Sequence, residues 1–228
     1  MNLAELPVPP KIYLPTFERR QCLQNLQAAL ADHKAELAQL ICAEVKKPIS
    51  LAEKEVDRAI GVTGEAAEAV LQWQGTWLPS GQQASSLQHQ IFSQRVPLGA
   101  LLAITPFNYP LNLAVHKIAP AMALGLPFVF KPSPRSLKTA RLLIDLIHRS
   151  GYPPQAAQLL DCANHQVQAV VQDLRFAILS FTGSAAVGWE LKRATAAKQV
   201  LLELGGNASV ILAPDAQWQA AIPRLCWG

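Results

Sequence analysis

The sequence predicts an α/β protein in which a helical N-terminal region precedes an open parallel sheet with helices on both faces. Three observations predict it. Apolar residues recur with a 3.6-residue period through the first third. From about residue 98, short apolar runs alternate with helical stretches four times, the pattern of a parallel sheet covered on both sides. Half of the 228 residues are apolar and only 16% are charged, enough to build a sizeable core and sparse enough in charge to suit a buried or oligomeric protein.

The elements follow in order. Leu23, Leu26, Leu30, Leu37, Leu40, Ile41 and Val45 form one stripe, so residues 17–47 are expected to be a single amphipathic helix, with Thr16 as N-cap and Pro48 as terminator. Ser50 and Glu53 have capping-box spacing and open a second helix to about residue 73, weakened in its middle by Gly61 and Gly64. Residues 86–94 alternate in polarity and suggest an exposed extended segment before Pro97. Strands are then expected at 100–105, 127–131, 158–160 and 176–181, with a last one from 199 to 204 running on to 210–212. The helices between them are expected at 111–124, 136–149, 166–172 and 184–194. Ligands of such a sheet bind at the carboxyl ends of its strands.

Charge and cysteine usage exclude several classes. The formal net charge is +4 and the pI about 9.0, but Lys and Arg are scattered, which argues against a nucleic-acid partner. Residues 96–116 carry no formal charge apart from His116, yet Pro97, Pro106 and Pro110 with Asn108 and Asn112 break the run too often for a membrane span. Cys22, Cys42, Cys162 and Cys226 contain no C-x-x-C pair and no signal peptide opens the chain, so they read as free thiols in a reducing, cytoplasmic compartment. His116 and His148 have no Cys or acid at metal spacing, and no metal is expected.

Four places at strand ends carry chemistry. Asn108, held between Pro106 and Pro110, either donates its amide to a developing oxyanion or caps the following helix. Lys131 ends a strand before Pro132-Ser133-Pro134 and either meets a ribose or phosphate or is a solvated strand-end lysine. Gly183-Ser184-Ala185-Ala186-Val187-Gly188 leads into a helix, where small residues let a backbone approach a pyrophosphate. The G-x-G-x-x-G fingerprint of ordinary dinucleotide folds is absent. Glu203 precedes Gly205-Gly206, which permit sharp backbone geometry, and is either a partly buried general base or an ordinary strand-end acid.

Three segments in order carry a resemblance: Ile104-Thr105-Pro106-Phe107-Asn108-Tyr109-Pro110, Phe181-Thr182-Gly183-Ser184 and Glu203-Leu204-Gly205-Gly206-Asn207. Together they resemble the aldehyde dehydrogenase superfamily, from about residue 17 to 228. The resemblance implies a Rossmann-like cofactor-binding fold, an aldehyde substrate, NAD or NADP, and a homo-oligomer. It implies an oxyanion role for Asn108 and activation of nucleophile or water by Glu203. For the cofactor it points to Ile104, Thr105, Pro106, Phe107, Lys131, Ser133, Phe181, Gly183, Ser184, Val187, Gly188, Leu204 and Gly205. Lys131 would hold the adenosine ribose. The Glu usual three positions on is Pro134 here, with Arg135 and Lys138 nearby, so NADP is expected to be tolerated.

The same resemblance divides the chain into a helical part (1–81), an oligomerisation-type segment (82–97), the NAD(P)-binding core (98–213) and the start of a catalytic domain (214–228). The family's nucleophilic cysteine follows the Glu-Leu-Gly-Gly segment by about 34 residues. Glu203 is followed by 25 residues (228 − 203), so this chain alone is expected not to turn over aldehydes. Cys226 lacks the spacing and the preceding Gly-Gln, and reads as a buried packing cysteine. Other departures are Lys46 before Lys47-Pro48, Gln155 after Pro154, and Asp161-Cys162-Ala163-Asn164 in place of a Gly-containing turn. A non-catalytic nucleotide-binding remnant and an oligomerisation partner are the alternative readings.

Overall fold

In a computed structural model, residues 14–195 and 197–227 are described. Three helices come first: α1 (Thr16–Asp32), α2 (Lys34–Val45) and α3 (Ile49–Ala69). The expected single helix over 17–47 is therefore two. His33 breaks it with φ −97° and ψ 16°, and its Nδ1 lies 2.9 Å from the Ala29 carbonyl that also accepts its backbone N–H. Neither expected cap forms. Pro15 and Pro48 occupy the N-cap positions, so Thr16 and Ser50 fall inside their helices. Gly64 lets α1 and α3 cross closely, since a Cβ there would stand 2.3 Å from Gln27 Nε2.

The segment that follows holds a short antiparallel pair, β1 (Thr76–Leu78) and β2 (Ile91–Ser93), with Trp77 stacked on Phe92. All six of these strand residues are exposed.

The remaining elements alternate: β3 (Ala100–Ile104), α4 (Asn112–Leu124), β4 (Phe128–Lys131), α5 (Leu137–Arg149), β5 (Ala157–Leu159), α6 (Val167–Gln172), β6 (Phe176–Gly183), α7 (Ala185–Ala194) and β7 (Gln199–Leu204). A final helix, α8, spans Trp218–Trp227. The extension of β7 to 210–212 does not form; Val210, Ile211 and Leu212 are exposed and irregular, with no strand paired to them among the described residues.

Strands β3 to β7 make one parallel sheet in the order β5-β4-β3-β6-β7. Their apolar residues divide by face, as the two-residue period of a strand requires. Leu101, Ala103, Phe128, Phe130 and Ile178 join a core with α1 to α5, while Leu102, Ile104, Val129, Leu179 and Phe181 join a second core with α6 and α7. A register shift between Ala100 and Leu101 leaves Ala177 as an extra residue, which puts Phe176 on the same face as Leu179. Among the described residues, no helix is long and apolar enough to cross a membrane.

Candidate functional site

The chain winds from β3 outward to β4 and β5, then returns to place β6 on the other side of β3. Such a reversal opens a crevice at the carboxyl ends of the two central strands. Two adjoining clefts lie there. The first, about 500 Å³, is walled by Ile104 and Thr105 after β3, Lys131 and Ser133 after β4, and Phe181 to Ser184 with Val187 at the β6–α7 junction. The second, about 930 Å³, is lined by Asn108, His116, Lys117, Ser180, Leu201, Glu203, Leu204 and Gly205 among others. Pro106, Phe107, Thr182, Gly183 and Ser184 line both and form a shared wall.

The first cleft has the features a dinucleotide needs. Lys131 is buried, not a solvated strand-end lysine, and its Nζ donates to Asn164 Oδ1 at 2.5 Å. Burial pulls its ammonium below lysine's usual range, opposed by Cys162 and Asp161 nearby. Thr105 Oγ1 is buried with no hydrogen-bond partner among the described residues, an orphan that a ligand hydroxyl or phosphate oxygen would satisfy. Ser184 is the N-cap of α7 and makes no side-chain cap, so the first N–H groups of that helix, beside the cleft that Ser184 and Val187 line, are unpaired by a cap. Gly188 brings α7 against the sheet: a Cβ there would lie 2.3 Å from Leu204 Cδ2 and 3.3 Å from Phe181 Cε1. The residues present therefore fit a pyrophosphate at α7 and a ribose at Lys131. Arg135 stands beside this cleft, its guanidinium 3.8 Å over the Phe107 ring.

The second cleft brings Asn108 and Glu203 to one space. Asn108 is exposed and does not cap α4. That helix has Leu111 at its cap, and the N–H groups of Leu111 and Asn112 donate to Glu55 Oε1 at 2.9 and 3.1 Å. Of the two readings of Glu203, its burial matches the ordinary strand-end acid and not the partly buried one. It is exposed, because β7 is the outermost strand and its residues alternate between exposed and half-buried. Gly205 and Gly206 have no positive φ and open space about them, so the sharp geometry expected there is not used. Cys226 is exposed on α8 and not a packing residue.

Two side chains of these clefts escaped the sequence reading. Lys117 is buried on α4, its Nζ donating to Ser180 Oγ at 2.9 Å. Burial lowers its pKa from 10.5 to about 8, with the Glu203 carboxylate pulling the other way. Its signal was present in the run Ala114 to Ala123, where a lysine without a neighbouring acid lies among apolar residues. Asn164, the partner of Lys131, opens a short 3-10 turn and was met in the sequence only as part of the Asp161-Cys162-Ala163-Asn164 departure, with no role assigned.

Comparison with known proteins decides the family. Residues 12–228 match the aldehyde dehydrogenase family. The chain belongs to it. A sulfoacetaldehyde dehydrogenase of Neptuniibacter caesariensis is 36% identical over 205 residues, 90% of this chain and 45% of that protein. Aldehyde dehydrogenase 21 of Physcomitrella patens, solved with the reaction product succinate, is 36% identical with a TM-score of 0.82 over 86% of this chain and 41% of that one. The NADP-dependent glyceraldehyde-3-phosphate dehydrogenase of Bacillus halodurans, solved with NADP, superposes with a TM-score of 0.90 at 29% identity, covering 94% of this chain and 46% of that one. The chain thus spans about half the length of the relatives it matches.

Proposed function

We propose that this chain is the cofactor-binding half of an NAD(P)-dependent dehydrogenase that oxidises an aldehyde to a carboxylic acid. The observation that carries the reading is the shared wall of the two clefts. A nucleotide lying along Lys131 and the start of α7 would end where Asn108 and Glu203 face each other's space. The nicotinamide, when bound, supplies the hydride acceptor. In this reading Lys131 holds the adenosine ribose, with Ser133 on the same rim, and Ile104 to Phe107 with Phe181 pack the cofactor. The N–H groups ahead of Val187 and Gly188 face the pyrophosphate. Asn108 donates its amide to the oxygen that gains charge when a thiolate adds to the aldehyde. Glu203, open to solvent, takes a proton from the attacking water, with Leu204 and Gly205 shaping the wall beside it. The family's cysteine chemistry is not assigned to Cys226, which sits on α8.

Lys131 has a neutral amide for its partner and Pro134 follows where a carboxylate would repel a 2′-phosphate. Titration calorimetry with both cofactors tests this. NADP should be tolerated, binding within about tenfold of NAD. NADP weaker than NAD by about tenfold overturns the charge argument, and binding of neither up to about 1 mM overturns the cofactor reading.

The exposed β1–β2 hairpin, with its Trp77–Phe92 stack, favours a homo-oligomer or association with a longer relative, read by light scattering. A cytoplasmic location is part of the same proposal.

A further inference from the structure

The turn that carries Asn108 is held from outside the sheet. Glu55 belongs to α3, and its side chain is fully buried, an unusual place for a carboxylate. One oxygen accepts the N–H groups of Leu111 and Asn112 at the start of α4. The other accepts from Lys47 Nζ at 2.5 Å. The same Lys47 ammonium stands 3.7 Å over the ring of Tyr109, the residue after Asn108. One buried ion pair therefore grips both flanks of the turn: the cation holds 109 by its ring, and the anion holds 111 and 112 by their backbone.

A carboxylate in this place gains twice. It meets two of the unpaired N–H groups that every helix start presents, and it sits at the positive end of the helix dipole. Charge-assisted bonds of this kind are short and directional, so they fix position as well as energy. Without an anion, Leu111 and Asn112 would have buried donors unmet, since Leu111 supplies no cap of its own.

We propose that Glu55, oriented by Lys47, is a positioning residue for Asn108: the pair sets where the Asn108 amide points. The proposal rests on the oxyanion role assigned to Asn108 above. Its direct content, however, is the geometry of the turn.

Nitrogen-15 NMR of the whole chain tests it, with the Asn108 side-chain amide assigned by its loss in Asn108→Ala. In Glu55→Gln and in Lys47→Met the Asn108 amide resonance should move. Exchange of the Leu111 and Asn112 amides should rise about tenfold relative to Ala119 in the middle of α4. Lys47→Arg keeps the cation and should restore both readouts. Tyr109→Leu, at an exposed position, should move the Asn108 amide without changing exchange at Leu111. It also carries the test if the buried variants fail to fold. A uniform rise in exchange along α4, or an Asn108 amide unmoved in every variant, reduces the pair to a packing element and overturns the proposal. Cofactor titration of the wild type is scored separately. Its failure removes the function proposed above while the NMR comparison still judges the anchor.

Discussion

Replacing Lys117 with Met removes a charge that the fold holds in the second cleft at a measurable cost. The wild-type ammonium has its pKa lowered from 10.5 to about 8, chiefly by burial. The folded state therefore releases this proton before the unfolded chain does. Below pH 8 both states are charged and the full burial cost is present. Between about pH 8 and 10.5 the unfolded state binds more protons than the folded one, so wild-type stability rises with pH across that window. The drop from 10.5 to about 8 caps the gain at about 3 kcal/mol, of which about 2 kcal/mol is realised by pH 9.5. Lys117→Met lacks this titration and keeps an unbranched side chain of similar reach. Urea denaturation of both proteins at pH 7 and pH 9.5 isolates the effect, because every other group titrates alike in the two. The difference between wild type and variant should move by about 2 kcal/mol in favour of wild type at the higher pH. A difference constant to within about 0.5 kcal/mol would mean that the lysine is well solvated and the argument from burial is wrong.

Two further substitutions bear on the first cleft. Gly188→Val drives a Cβ into Leu204 and toward Phe181, and should cost about 1–3 kcal/mol in denaturant as an overpacked contact; unchanged stability would show that Leu204 swings aside freely. Asn164→Asp places a carboxylate on Lys131 and should weaken NADP by about tenfold while sparing NAD, and equal losses for both cofactors would speak against a 2′-phosphate beside that lysine.

The central sheet was legible because each of its buried strands is a short apolar run closed by Pro, Gly or Ser. Val129 and Phe130, or Leu179 and Phe181, need no distant partner to be read as core. The ends of those strands were legible too, and they hold most of the site. What sequence could not show was pairing at a distance. The Glu55 carboxylate belongs to a stripe with Ala52, Val56 and Ala59, and its position on that buried face was the available sign that it serves something 56 residues away. β2 lies in the segment read as exposed and extended, but its pairing with β1 escaped, because side chains that are all exposed carry no sign of a partner strand. The break at His33 escaped because one side chain competing for one carbonyl leaves the apolar stripe intact on both sides. The two readings of Glu203 stayed open for the converse reason. An apolar strand implies burial, but this strand lies at the sheet's edge.

The place of β6 has a consequence for the order in which the molecule is built. Ile104 pairs with Lys131 across 27 positions (131 − 104) but with Phe181 across 77 (181 − 104). As the chain leaves the ribosome, β3, β4 and β5 can assemble with the N-terminal helices early, since their contacts are comparatively local. The other flank of β3 stays bare until residue 183 has emerged. Both clefts take one wall from β3 and one from β6, so neither exists before that moment. A nucleotide bound there as proposed would recognise only the assembled sheet, and would act as a late clasp on a nascent protein once β6 has covered that flank of β3.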